Sequence, residues 1–119
     1  MANEITASVS LSVSKSGASV SGSGSASADM ANDEMVALVQ QVTTSAASLT
    51  KGDISVIGWL YARNMDATNY VELGLDSGMT QVFAKLQPGK ACLIPMALSN
   101  VYAKANTATC RVNVVMSEA

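Results

Sequence analysis

The sequence predicts an all-β protein: a single-domain antiparallel β-sandwich, jelly-roll-like, with about eight or nine short strands and a Ser-rich N-terminal strand pair or arm. Three observations predict it. Apolar and polar residues alternate with period two in several segments, the mark of a strand with one buried face. Turn-forming clusters recur at intervals of about 8–12 residues. An apolar fraction of 49% over 119 residues supplies one ordinary buried core.

The chain begins with a zone, residues 1–28, built mostly from Ser, Ala, Gly and Val. Ile5, Ala7, Val9, Leu11 and Val13 are interleaved with Thr6, Ser8, Ser10, Ser12 and Ser14. Lys15-Ser16-Gly17 reads as a turn. Ala18 to Ala28 alternates again, but its apolar face (Ala18, Val20, Gly22, Gly24, Ala26) is weak. Two accounts stay open. The stretch is a flexible Gly/Ser linker, or it is a flat strand lying close against another backbone. A small-residue strand has weakly specified register and suits pairing with a neighbouring subunit. The organisation expected is an arm or strand pair over 1–28 and a sandwich body over 29–119, one domain overall.

Asp29-Met30-Ala31-Asn32-Asp33 breaks the pattern. Residues 34–44 read as a strand on the β-branched Val42-Thr43-Thr44, in a segment where the apolar residues Met35, Ala37, Val39 and then Val42 recur; a helix across 33–42 is the alternative. Ser45 to Asp53 is a loop. Ile54 to Asn64 is a strand with Ile57, Trp59 and Tyr61 on one face, which assigns Trp59 to the core. Strands over 70–75 and 80–86 follow, separated by the turn Asp76-Ser77-Gly78. Gln87-Pro88-Gly89-Lys90 is a tight turn. Pro95 assigns the strand Cys92–Met96 to an edge or an end. Val101–Ala105 and Thr109–Ser117 complete the set.

Charge narrows the function. Only 13% of residues are charged, about half the globular average. Sparse charge suits broad contact with other proteins, and equally a compact domain with a Ser/Thr surface. The net charge is −2 and the seven Lys/Arg form no run, so no nucleic-acid partner is expected. Met-Ala-Asn-Glu lacks the basic and apolar parts of a leader, and no run approaches about 18 apolar residues. Synthesis in the cytoplasm and no membrane partner are expected. Cys92 and Cys110 read as small core residues, with a disulfide as the alternative.

Catalysis lacks its parts. The chain has no histidine, so it offers no Ser-His-Asp triad, no Cys-His pair and no histidine metal ligand. No Gly-rich phosphate loop follows a strand. Asp66 and Asp76 read as turn formers, and Glu72 shares a solvated strand face with Tyr70. No enzyme, no cofactor and no catalytic or metal-binding residue is expected. A glycan-binding module needs exposed aromatic platforms, and one Trp, three Tyr and one Phe supply little material.

The segment from Gly58 through Trp59-Leu60-Tyr61-Ala62-Arg63-Asn64-Met65-Asp66-Ala67-Thr68-Asn69-Tyr70 to Gly74 resembles a stretch of small tailed-bacteriophage virion proteins. Phe83-Ala84-Lys85-Leu86-Gln87-Pro88-Gly89 and Val101-Tyr102-Ala103-Lys104-Ala105-Asn106-Thr107-Ala108 are similar too. The likeness covers 34–117 and leaves out the Ser-rich 1–28. It implies a β-sandwich or jelly-roll subunit of a virion. The leading role is a capsid cement or decoration protein, binding the outer surface of the major capsid shell as a homo-oligomer, dimer or trimer. A neck, tail or head-fibre subunit is the alternative, and a glycan-binding module is the alternative of another class. The residues expected to touch partner proteins are Ile5, Val9, Leu11 and Val13 in the arm and Asn64, Asp66, Asn69 and Asp76 in the turns. The arm is also a candidate to add strands to a partner's sheet.

Overall fold

The computed structural model describes residues 5–30 and 34–118, and every regular element among them is a strand. The chain divides into two compact units, Met1–Ala31 and Asn32–Ala119.

The first unit is a β-hairpin. Strands β1 (Ile5–Lys15) and β2 (Ala18–Ala28) pair antiparallel without a register break, Lys15 facing Ala18 and Ile5 facing Ala28. Of the two accounts of the Ser-rich zone, the strand pair is the one that forms. Ser16 and Gly17 close it, both with positive φ (54° and 85°). That conformation matches a type I′ turn, whose twist suits the flanking strands.

The second unit is a sandwich of two four-stranded sheets. Its strands are β3 (Met35–Val42), β4 (Ala47–Ser48), β5 (Ile57–Asn64), β6 (Val71–Gly74), β7 (Val82–Leu86), β8 (Ala91–Leu98), β9 (Tyr102–Ala105) and β10 (Cys110–Glu118). One sheet runs β3-β10-β5-β8 and the other β4-β9-β6-β7. The pairing is nested: β3 with β10, β4 with β9, β5 with β8, β6 with β7. Successive pairs alternate between the sheets, and β10–β5 and β9–β6 join them side by side. A folded-back antiparallel ribbon wrapped in this way is a jelly roll.

Burial follows the pleat. β10 points Cys110, Val112, Val114 and Met116 inward, all essentially inaccessible, as its strict alternation predicts. Ile57, Leu60, Ala62, Val71, Leu73, Val101, Ala103 and Ala105 complete the centre of the core. Pro95 lies in β8, an edge strand, where a missing N–H costs no ladder bond to a further strand. The turn Gln87–Lys90 closes with Lys90 N–H donating to Gln87 O at 2.9 Å, and Gly89 takes φ 77°. Pro second and Gly third is the type II arrangement.

Two expectations are corrected, the loop over Ser45–Asp53 and the core position of Trp59, and the strand over 34–44 gains its two faces. Ser45–Asp53 is not wholly loop: Ala47 and Ser48 pair with Ala103 and Tyr102 as β4. In β3 the inward residues are Val36, Leu38 and Val42, while Met35, Ala37 and Val39 face out. In β5 a register shift between Ile57 and Trp59 lets Ile57 and Leu60 both point inward. Trp59 and Tyr61 therefore lie half-buried on the outer face rather than in the core. A bulge of this kind exchanges the faces of everything beyond it.

Candidate protein-interaction surfaces

The outward side chains of β3, β10, β5 and β8 create the first candidate surface. Across the outer side of the β3-β10-β5-β8 sheet the register sets three rungs. They are Met35–Ser117–Trp59–Pro95, Ala37–Val115–Tyr61–Leu93 and Val39–Asn113–Arg63–Ala91. Met35, Val39 and Val115 are 66%, 53% and 42% exposed. Trp59, Tyr61 and Leu93 are half-buried, and Ala37, Pro95 and Ala91 are exposed. The charges on these rungs and at their end are Arg63 and Arg111, and no carboxylate lies among them. A contiguous apolar face of this kind marks a contact surface, whereas scattered apolar residues do not.

The opposite face of the sandwich is different. There Glu72 on β6 stands between Lys85 on β7 and Lys104 on β9. Lys85 Nζ also lies 4.1 Å from the centre of the Tyr70 ring, a cation–π contact. Glu72 and Tyr70 do share a face, and it is a solvated, charged one.

The hairpin is the second candidate surface. One side is an unbroken ladder of hydroxyls: Thr6–Ser27, Ser8–Ser25, Ser10–Ser23, Ser12–Ser21 and Ser14–Ser19. The other carries Ile5–Ala28, Ala7–Ala26, Val9–Gly24, Leu11–Gly22 and Val13–Val20. Every residue from Ser8 to Ser27 is exposed, including Val9 (50%), Leu11 (68%), Val13 (51%) and Val20 (70%). Ile5 is half-buried. The hairpin thus brings Val9, Leu11 and Val13 together on one unpartnered face.

The turn residues are placed otherwise. Asn64 is wholly buried and is corrected from a contact residue to a structural one. Its Nδ2 donates to the carbonyls of Asn69 (2.8 Å) and Leu86 (2.9 Å), and its Oδ1 accepts the Asp66 N–H (2.9 Å). Its backbone N–H donates to Lys90 O, and its carbonyl accepts the Gly89 N–H. One side chain so ties the end of β5 to the end of β7 and to the following loop. Asp66 accepts the N–H groups of Asn69 (2.7 Å) and Thr68 (3.0 Å), which lower its pKa. Asn69 in turn accepts the Thr107 hydroxyl at 2.7 Å. Asp76 accepts the hydroxyl of Thr80 (2.7 Å) and the N–H groups of Gln81 and Thr80, and its pKa is lowered, chiefly by that hydroxyl. Each carboxylate is spent on its own loop, as turn-forming Asp residues are.

The thiols are separate. Cys92 and Cys110 are both free, Cys92 half-buried and Cys110 buried. Burial pushes both thiols up, and the negative charge of Asp66 adds to this at Cys110, so both are weak nucleophiles. Among the described residues no three His, Cys, Asp or Glu side chains gather as a metal site.

No protein-family model, curated protein or solved structure matches the chain.

Sequence reading missed the outer face of the sandwich. Its signal was present in the uninterrupted apolar run Met35-Val36-Ala37-Leu38-Val39, which leaves neither face of β3 polar.

Proposed function

We propose that the chain is a structural subunit of a bacteriophage particle, a cement or decoration protein that seats on the outer surface of the major capsid shell. The observation that carries the reading is the asymmetry of the sandwich. One outer face is apolar, with arginine as its charged residue type, while the other bears the row Lys85–Glu72–Lys104. A protein bound by one side to a broad surface has this division. The apolar side excludes water against the partner, and the charged side stays in solvent. The resemblance of residues 34–117 to small virion proteins supports the identity of the partner. A shell repeats the same site many times, so modest affinity per site multiplies when subunits are linked.

The test is binding of Val39→Glu and Val115→Glu to undecorated shells by co-sedimentation. Both side chains point outward, so the fold is expected to stay intact by circular dichroism. Burying a new carboxylate in the contact is expected to weaken binding at least about tenfold. Binding equal to that of the unaltered chain overturns the reading.

One observation favours a second reading, a glycan-binding module. Trp59 and Tyr61 lie two positions apart on the same outer face, an aromatic pair of the kind that stacks on sugar rings. A glycan array decides it. Retention of a defined oligosaccharide, lost in Trp59→Ala, would favour this reading over the first.

A further inference from the structure

We infer that the N-terminal hairpin is a pairing element, and that the occupant of its apolar face is the same face of a second copy, with both turns at one end. This deepens the reading of the chain as an assembly subunit.

The hairpin needs an occupant. A two-stranded ribbon is at best marginal in water, and this one exposes every side chain from Ser8 to Ser27. From Ile5 to Ala28 its one charge is Lys15, at the turn.

The shape of the face selects the occupant. Large residues sit on β1 and small ones directly across on β2: Val9 beside Gly24 and Leu11 beside Gly22. A Cβ built on Gly22 or Gly24 meets nothing within 4 Å, so the space over both is open. A two-fold axis parallel to the strands lays β1 of each copy over β2 of the other, at equal height. Leu11 then enters the gap over Gly22 of the second copy and Val9 the gap over Gly24, and both contacts are made twice, as a two-fold interface requires. Val13 meets Val20. A two-fold axis across the strands fails, because it sets β1 on β1 and leaves gap facing gap.

The size of the face sets the strength. From Ser8 to the turn the ribbon is about 27 Å long and about 10 Å wide, which gives roughly 270 Å² of projected face per copy. Two such faces fall well below the roughly 1,200 Å² of a stable interface. Pairing is therefore weak in solution and is completed where neighbouring sites on an assembly hold two copies close. The shared end also brings the two Lys15 side chains together, so salt strengthens the association by screening them.

The experiment is sedimentation equilibrium of the full chain up to about 1 mM, with distance measurement between spin labels on Ser16→Cys in a Cys92→Ser background. The unaltered chain is expected to show a monomer–dimer equilibrium and labels within roughly 20 Å. Labels about 35 Å or more apart would indicate opposed ribbons and overturn the proposal. Gly22→Leu fills the gap and is expected to weaken association at least about tenfold. It adds its side chain to open space, so the monomer is not harmed. Leu11→Gly combined with Gly22→Leu exchanges knob and gap and is expected to restore pairing. A chain that stays monomeric throughout overturns the proposal, as does a Gly22→Leu variant that associates unchanged, which would indicate edge-to-edge pairing. Shell binding is measured separately. A subunit that binds shells but never pairs refutes this inference alone, and one that pairs but never binds shells refutes the capsid reading alone.

Discussion

Asn64 is fully buried and uses both Nδ2 donors and its Oδ1 within the protein. Removing it strands the buried Leu86 carbonyl and leaves the part-buried Asn69 carbonyl and Asp66 N–H without their partner. Asn64→Ala is expected to cost about 2–4 kcal/mol in chemical denaturation, and a loss below about 0.5 kcal/mol would show that water substitutes freely. Asp66 and Asp76 act at the surface, through pH. Both have folded pKa values below their ordinary 3.8. Between the folded and unfolded values the unfolded chain binds more protons, so stability is complete above about 4 and falls as pH drops through the folded values. Thermal scans from pH 5 to pH 2 are expected to show this acid limb, and the Asp66→Asn/Asp76→Asn double variant to flatten it. An unchanged limb would place the acid sensitivity elsewhere. These roles were only partly legible in the sequence. Asp66 and Asp76 read correctly as turn formers, because their partners lie within five residues. Asn64 read as one more surface turn residue, because Leu86 lies 22 residues away and only the fold brings it near.

At the scale of the element, legibility depended on whether one face of a strand was polar. β10 alternates Cys110, Val112, Val114 and Met116 with Arg111, Asn113, Val115 and Ser117, and the period-two run marks its inward face, though not the exposed Val115 on the other. β3 is apolar on both faces, so period-two reasoning could not choose between them, and β5 changes face at its register shift, so the same reasoning misplaced Trp59 and Tyr61. β4 has two residues, too few for any period. The hairpin β1–β2 was clear in its alternation but not in its need for a partner, since exposure is a property of the folded chain. Its turn offers a direct test. Ser16 holds φ 54°, a conformation that Asn adopts at less cost. Ser16→Asn creates the Asn-Gly pair favoured in type I′ turns and is expected to stabilise the hairpin by about 0.5–1 kcal/mol. Amide hydrogen exchange in β1 and β2 reads the effect: slower exchange there is expected, and unchanged rates would mean that the turn does not limit opening.

At the scale of the whole molecule, the buried core cluster belongs to the second unit. The core cluster is drawn entirely from residues between Val42 and Met116, and the residues packed against it run from Val36 to Leu98. None comes from the hairpin. The nested strand pairs of the jelly roll likewise begin at β3 and end at β10. Removal of residues 1–31 should therefore leave the sandwich folded. Trp59, the lone tryptophan, sits on β5 and reports on that unit alone. The truncated chain is expected to keep the tryptophan emission maximum and a midpoint of urea unfolding within about 0.5 M of the full chain, given an m-value of about 1–3 kcal/mol/M. Collapse of that transition would show that the hairpin is an integral part of the sandwich. The same truncated chain separates the two surfaces. On the proposed function, a shell contact through the outer face around Val115 is expected to survive per subunit, and any gain from linking neighbours through the hairpin is expected to be lost. Weakened shell binding with a loss of cooperativity is then expected. Cooperative binding that persists without the hairpin would assign the linkage between neighbours to the sandwich itself.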